Sequence, residues 1–197
     1  MPRKATAASP PSVYNVANLL TVLRIVLVPA FVLCAVESDF VDPGWRMAAC
    51  AVFVAAAVTD FADGWLARRH GLVTAFGKIA DPIADKALTG AALVLLSLWD
   101  LVPWWVTIVI LVREWGITLL RLWVIRIGVI AASRGGKIKT VLQIVAIAFY
   151  LWPLPQPLSL IDPWLMGAAT LATVVTGFDY IVQVINLRRR DAKRAAP

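Results

Sequence analysis

Residues 47–99 decide the fold, and their sequence is MAACAVFVAAAVTDFADGWLARRHGLVTAFGKIADPIADKALTGAALVLLSLW. This stretch contains two apolar runs, Met47–Leu66 and Ile83–Trp99, joined by a short polar connection. A helix needs about 20 predominantly apolar residues to cross a bilayer, so each run is predicted to form a transmembrane helix. Because the connection is short, the two helices are expected to be antiparallel neighbours.

The composition of the whole chain is typical of a membrane protein. Of the 197 residues, 60% are hydrophobic and 16% are charged, and the mean hydropathy is +0.79. Soluble domains contain roughly 45 to 50% apolar residues, and a chain this short cannot bury such an excess in one core. On a soluble protein the net charge of +7 would suggest nucleic acid. On a membrane protein it indicates basic cytoplasmic loops, so no nucleic-acid partner is expected.

Four further apolar runs bring the number of predicted spans to six. The runs are Val16–Val36, Met47–Leu66, Ile83–Trp99, Val102–Ile127, Ile138–Leu154 and Trp164–Leu187. Lys and Arg gather in alternate connections and in both termini, whereas the other connections carry mainly acidic residues. Because cytoplasmic segments carry the excess of Lys and Arg, both termini are predicted to be cytoplasmic. The sequence therefore predicts an all-α, multi-pass protein of the cell membrane with six transmembrane helices.

A single membrane domain accounts for most of the chain. Residues 1–12 are predicted to be a mobile N-terminal tail, 13–187 the membrane domain and 188–197 a basic cytoplasmic tail. A signal peptide is the alternative interpretation of the first run. That run is longer than an h-region of about 7 to 15 residues, and no convincing small-residue cleavage site follows it. Cys34 and Cys50 lack metal-ligand spacing and are interpreted as small hydrophobic residues.

Four aspartates lie where the two runs of residues 47–99 meet their polar connection. Asp60 and Asp63 are three residues apart, so they share one helical face. Asp81 and Asp85 are four residues apart and share a face as well. Antiparallel helices would bring both pairs to one depth, where two divalent cations about 3.5 to 4 Å apart would remove their repulsion and suit phosphoryl chemistry. The alternative is a structural cluster of salt bridges. Its cations would be Arg68, Arg69, Lys78 and Lys86.

The spacing of these residues resembles the signature of the CDP-alcohol phosphatidyltransferase family. The pattern is Asp60-x2-Asp63-Gly64-x2-Ala67-Arg68-x8-Gly77-x3-Asp81-x3-Asp85. Three flanking segments are similar to the phosphatidylglycerophosphate synthase branch of that family. They are Asn18-x2-Thr21-x2-Arg24, Arg113-Glu114 with Thr118-Leu119-Leu120-Arg121, and Gly136-Lys137-x-Lys139-Thr140. Every signature position is filled.

The resemblance implies a reaction and a set of site residues. A phosphatidyl group would pass from CDP-diacylglycerol to an alcohol, and CMP would leave. The two ions, Mg2+ or Mn2+, would be held by Asp60, Asp63, Asp81 and Asp85. Asp85 would also take the proton from the acceptor hydroxyl. The implied contacts to CDP-diacylglycerol are Gly64, Arg68, Thr74, Asn18 and Thr21. A homodimer is implied as well, and the loop charges place the site near the cytoplasmic face.

A second group of cations bears on the identity of the acceptor. Arg113 lies inside an apolar run, where a cation is costly without a partner. One interpretation is an ion pair with Glu114 or with one of the aspartates. The other is that Arg113, Lys137 and Lys139 bind the phosphate of a phosphorylated acceptor. Glycerol 3-phosphate, together with CDP-diacylglycerol, fits those charges and the resemblance.

Other functions are compatible with part of this pattern. The same chemistry could use inositol phosphate or phosphatidylglycerol as the acceptor. From a different class, a divalent-cation transporter could use the carboxylates as its ion site, but it leaves Gly64, Arg68 and Gly77 unexplained. His70 is assigned no role. Asp179 lies inside the last run and could pair with a cation on a neighbouring helix, but the sequence assigns it no specific role.

Overall fold

The computed structural model describes residues 16–70, 75–124 and 134–195. Side chains are described throughout these ranges except at 16–18, 21, 60, 62–70, 75–82, 84–85, 121–122, 124, 134 and 189–195. These ranges contain six α-helices: α1 (Val16–Glu37), α2 (Pro43–His70), α3 (Ala75–Leu98), α4 (Trp104–Val124), α5 (Arg134–Leu151) and α6 (Asp162–Ala195). A short 3-10 helix, Leu158–Ile161, precedes α6, and the described ranges contain no β-strand. The prediction of an all-α protein with six helices is confirmed.

Helices α2, α3 and α6 are longer than the apolar runs from which they were predicted. Helix α2 continues to His70, and α3 begins at Ala75, eight residues before the apolar run that starts at Ile83. Helix α6 continues to Ala195, which makes most of the segment predicted as a basic tail helical. An apolar run marks only the part of a helix that is buried from water, and the helix can continue beyond that run with polar residues.

One helical stretch in the described part of the chain, Leu158–Arg188, is long and apolar enough to cross a membrane by length and composition. Two shorter apolar helical segments are Pro43–Thr59 and Lys86–Leu98. The helix count is thus confirmed, whereas the six crossings and the side of the termini stay predictions.

Helices α1, α2 and α3 pack together, α5 packs against α2 and α6, and α4 packs against α3 and α6. The core between them combines large and small side chains that are fully buried. Phe31 of α1 and Phe53 of α2 stack in a tilted arrangement with ring centroids 5.6 Å apart. Alanines at the contacts allow the helix backbones to approach closely, as in membrane bundles generally. Buried members of this group are Ala35, Ala49, Ala56, Ala92, Ala146 and Ala169.

The end of the bundle opposite the signature is fixed by two caps. Asp42 precedes α2, and its Oδ1 accepts a hydrogen bond of 2.8 Å from the backbone N–H of Trp45. This is an N-cap interaction, with Pro43 at the first helical position, where its missing N–H is of no consequence. From the first turn of α2, Arg46 donates to the carbonyl oxygens of Tyr150 at 2.9 Å and Leu151 at 3.3 Å. Arg46 therefore caps the C-terminus of α5 and joins it to α2.

Candidate functional site

The backbone places the two aspartate pairs symmetrically about the connection between α2 and α3. Asp60 and Asp63 lie about two to three turns before the end of α2. Asp81 and Asp85 lie about two to three turns after the start of α3. Since α2 and α3 are consecutive and pack against each other, this register is compatible with a site of four carboxylates at one depth. The four side chains lie outside the described part of the structure, so metal ligation stays a prediction.

The four carboxylates of the signature offer oxygen ligands, which hard divalent cations prefer. Among the side chains that the structure describes, no three His, Cys, Asp or Glu residues lie close enough to share a metal ion. The aspartates of the signature are outside that set.

The predicted contacts to CDP-diacylglycerol fall on neighbouring elements. Gly64 and Arg68 lie in the last two turns of α2, and Asn18 and Thr21 lie near the start of α1. Because α1 packs against α2 and a short connection joins them, the start of α1 lies beside the end of α2. The side chains of these residues, and the whole of Thr74, lie outside the described residues.

The predicted acceptor group includes a buried ionic cluster on which three helices converge. Arg113 Nη1 of α4 donates to Glu114 Oε1 at 2.9 Å, and Lys139 Nζ of α5 donates to the same oxygen. Lys86 Nζ of α3 lies 3.9 Å from Glu114 Oε2. The side chains of Glu114 and Lys139 are 14% and 4% exposed. We call Lys86, Arg113, Glu114 and Lys139 the Glu114 cluster.

Helix α6 supports this cluster through two adjacent residues. Arg113 Nη2 donates a hydrogen bond of 2.8 Å to Thr176 Oγ1. The hydroxyl of Thr176 donates in turn to the carbonyl oxygen of Ala172 at 2.7 Å, which leaves its lone pairs directed to the guanidinium. The stem of Arg113 lies against Gly177, where an added Cβ would be 3.1 Å from Arg113 Cγ. Arg113 is thus held between its own helix and α6.

The structure brings together only part of the predicted acceptor group. Arg113 and Lys139 share one carboxylate oxygen, whereas Lys137 is exposed. Residues two apart on a helix point to nearly opposite sides, which explains why Lys137 and Lys139 separate. The ion pair of Arg113 with Glu114, one of the two interpretations of Arg113, is confirmed. Phosphate binding by these cations stays a prediction.

Sequence reasoning gave no role to Thr176 and Gly177, and it treated Glu114 only as one partner of Arg113. The adjacent opposite charges of Arg113 and Glu114 inside an apolar run were the available signal. Asp179, to which the sequence assigns no specific role, is exposed and accepts a hydrogen bond of 2.8 Å from Gln183 of its own helix.

Comparison with known proteins places this arrangement in a family. The family model for CDP-alcohol phosphatidyltransferase matches residues 14–177. A protein of Mycobacterium tuberculosis (strain H37Rv) named "Probable phosphatidylglycerophosphate synthase" is 47% identical over 184 residues, covering 93% of this chain and 88% of the relative. The Bacillus subtilis (strain 168) protein named "CDP-diacylglycerol--glycerol-3-phosphate 3-phosphatidyltransferase" is 39% identical over 183 residues, covering 85% of this chain and 93% of its own length.

A protein of Escherichia coli (strain K12) with the same name as the Bacillus relative is 41% identical over 146 residues, which cover 71% of this chain and 78% of that protein. The matched residues of the family model include the signature in α2 and α3, the Glu114 cluster and the Thr176–Gly177 support. The chain therefore belongs to the CDP-alcohol phosphatidyltransferase family.

Proposed function

We propose that this protein transfers a phosphatidyl group from CDP-diacylglycerol to glycerol 3-phosphate, giving phosphatidylglycerophosphate and CMP. The observation that carries this proposal is the similarity to relatives named for the reaction, at 39% and 41% identity over most of both chains. A relative that is 47% identical carries the equivalent name of a synthase. The complete aspartate signature at the junction of α2 and α3 agrees with it.

The carboxylates of the signature would hold two Mg2+ or Mn2+ ions. The residues are Asp60, Asp63, Asp81 and Asp85. Bound there, the ions would neutralise the pyrophosphate and stabilise the attacking and leaving oxygens. The carboxylate of Asp85 would accept the proton of the acceptor hydroxyl as that oxygen attacks the β-phosphorus of CDP-diacylglycerol.

The CDP moiety would be bound between the end of α2 and the start of α1. Gly64 leaves space for close approach of a bulky ligand, and the guanidinium of Arg68 can donate two parallel hydrogen bonds to phosphate oxygens. Thr74, Asn18 and Thr21 complete the proposed contacts.

The acceptor phosphate would be bound beside the Glu114 cluster, by Arg113 and Lys139, with Lys137 at its exposed edge. Support comes from the position of the cluster, because Lys86, which contacts Glu114, directly follows Asp85 in α3. A glycerol 3-phosphate bound there would have its phosphate at the cations and its hydroxyls toward the aspartates. Charge-assisted hydrogen bonds from a guanidinium to phosphate are among the stronger ones in proteins.

The proposed setting is a membrane, with six crossings, both termini cytoplasmic, the active site near the cytoplasmic face and two copies in a homodimer. Large apolar side chains point outward from every helix of the described structure, which suits contact with lipid. Examples are Leu33, Val58, Leu98, Val112, Val141 and Leu171.

The proposal is tested by release of CMP from CDP-diacylglycerol by purified protein in detergent with Mg2+. Glycerol 3-phosphate, inositol phosphate, phosphatidylglycerol and serine are compared as acceptors, with a reaction lacking acceptor as the baseline. We expect turnover only with glycerol 3-phosphate and loss of turnover when the metal is chelated. Turnover with another acceptor would contradict the acceptor, and metal-independent release would contradict the carboxylate site.

The variant Asp85→Asn tests the proposed base. General-base catalysis contributes about 10^2- to 10^4-fold, so kcat should fall by at least about 100-fold. Asp179→Asn is the matched control, because Asp179 is exposed and hydrogen-bonded only within its own helix in the described structure. Equal rates for the two variants would remove Asp85 from the mechanism.

A further inference from the structure

We infer that Thr176 and Gly177 of α6 are positioning residues for the acceptor phosphate, acting through the guanidinium of Arg113. This inference rests on the proposed function and deepens it, since it names the residues that set how tightly the phosphorylated acceptor binds. Neither residue belongs to the signature in α2 and α3.

The first step is the fixed orientation of the guanidinium. One terminal nitrogen of Arg113 donates to Glu114 and the other donates to Thr176. The two partners lie on different helices, α4 and α6, so together they define the plane of the guanidinium. The Thr176 hydroxyl donates its hydrogen bond to the carbonyl oxygen of Ala172, so toward Arg113 it acts only as an acceptor. Loss of that hydroxyl would remove the hydrogen bond of Nη2 and leave Glu114 as the one remaining described partner of the guanidinium.

The second step is the space at residue 177. A Cβ added to Gly177 would lie 3.1 Å from Arg113 Cγ and 3.5 Å from Arg113 Nε. The first distance is shorter than ordinary carbon–carbon contact of about 3.5 to 4.0 Å, so the stem of Arg113 would have to move. By contrast, a Cβ added to Gly167 of the same helix has no heavy atom within 4 Å.

The third step connects this support to the acceptor. Arg113 Nη1 and Lys139 Nζ meet at the same oxygen of Glu114, so displacement of Arg113 changes the distance between the two cations. Arg113 Nε is also buried without a hydrogen-bond partner among the described residues. A buried donor without a partner is unusual in proteins, and this one lies where the close contact of the Arg113 stem with Gly177 places it.

The consequence is a selective effect on one substrate. Helix α6 packs mainly against α4 and α5, which carry Arg113 and Lys139. The proposed metal ligands lie on α2 and α3, and the proposed CDP contacts within the described residues lie on α1 and α2. A change at residue 176 or 177 should therefore raise the KM for glycerol 3-phosphate and leave the KM for CDP-diacylglycerol and kcat nearly unchanged.

The experiment compares Gly177→Ala with Gly167→Ala in the CMP-release assay, varying each substrate at saturating levels of the other. We expect Gly177→Ala to raise the KM for glycerol 3-phosphate about 10-fold, the scale of a weakened hydrogen bond to a charged group, and Gly167→Ala to match the unaltered protein. Equal KM values in the two variants would overturn the inference, as would a fall in kcat alone or an equal rise in both KM values.

A second pair of variants keeps the inference testable if Gly177→Ala does not fold. Thr176→Val preserves shape and removes the hydroxyl, whereas Thr176→Ser preserves the hydroxyl. The valine variant should show the raised KM for glycerol 3-phosphate, and the serine variant should restore the original value. The same KM in both variants would contradict positioning by the hydroxyl.

Failure of the proposed function has a different outcome. The unaltered protein would then release no CMP in response to glycerol 3-phosphate, before any α6 variant is compared. If the unaltered protein turns over normally and the α6 variants have an unchanged KM for glycerol 3-phosphate, the phosphatidyltransferase function stands. Only the proposed role of Thr176 and Gly177 is then refuted.

Discussion

Glu114 is the carboxylate on which basic side chains from α3, α4 and α5 converge. Lys139 is 4% exposed at its side chain and donates directly to Glu114, so this cation is nearly removed from solvent. Taking charges out of water is costly, and their mutual attraction offsets that cost only while both partners are present. The cluster is therefore more sensitive to loss of its acid than an exposed salt bridge would be.

We expect Glu114→Gln to destabilise the protein by about 3 to 5 kcal/mol, because removal of one partner leaves buried cations without their carboxylate. Thermal unfolding in detergent, followed by the fluorescence of the nine tryptophans, gives the measurement. Asp179→Asn, the loss of an exposed acid, serves as the comparison and should change stability by less than about 0.5 kcal/mol. Equal midpoints for the two variants would argue against a structural role of the cluster.

At the scale of elements, Arg46 links the first turn of α2 to the last turn of α5. Its guanidinium donates to the carbonyl oxygens of Tyr150, Leu151 and Trp152, the last at 3.3 Å. Carbonyl groups at the end of a helix have no partner within the helix and carry partial negative charge, so a cation satisfies both needs. We call this contact the Arg46 clamp.

Replacement of Arg46 by Ala should lower stability by about 1.5 to 3 kcal/mol, the range for a hydrogen bond to a charged group. The signature lies at the other end of α2, so the KM values for both substrates should stay unchanged at a temperature where the variant is folded. Thermal unfolding and CMP release are measured on the same preparation. Lys137→Ala is the control for loss of an exposed cation in the unfolding measurement alone, because Lys137 is itself a proposed acceptor contact. Unchanged stability, or a raised KM in Arg46→Ala, would refute this separation of roles.

The sequence predicts which segments are helical better than it predicts where they meet. The apolar runs locate all six helices, yet Ala75 as the start of α3 is missed because polar residues extend the helix beyond the run. The pairing of Arg113 with Glu114 is predictable because the residues are adjacent. The contacts of Glu114 with Lys139 and of Arg113 with Thr176 join residues 25 and 63 positions apart. Such contacts depend on how α4, α5 and α6 pack, which no local pattern reports.

At the scale of the whole molecule, the outward apolar surface and the alternation of loop charges both favour a multi-pass arrangement. The connection between α1 and α2 carries acidic residues, and Val41 within it is 80% exposed. The opposite end of the bundle carries most of the basic residues. Positive charge near the ends of membrane helices determines which side is cytoplasmic.

Cysteine labelling tests this orientation. In a background of Cys34→Ala and Cys50→Ala, a membrane-impermeant maleimide is applied to intact cells that express Val41→Cys or Ala195→Cys. We expect Val41→Cys to be labelled and Ala195→Cys to be labelled only after the membrane is opened, because the proposed topology puts the first residue outside the cell and the second in the cytoplasm. The reverse pattern would invert the proposed topology. Labelling of both positions in intact cells would put Val41 and Ala195 on the same side of the membrane, which contradicts the odd number of crossings proposed between them.

The Arg46 clamp also constrains the order in which the chain assembles during synthesis. Its hydrogen bonds join residues 104 to 106 positions apart, and ribosomes add about 5 to 20 residues per second. Arg46 is therefore made on the order of 5 to 20 s before its partners exist. During that interval α1, α2 and α3, which pack on one another, can form the three-helix unit that carries the aspartates. Arrival of α5 then allows the Arg46 clamp to form at the opposite end of α2, after the unit that carries the proposed metal ligands has assembled.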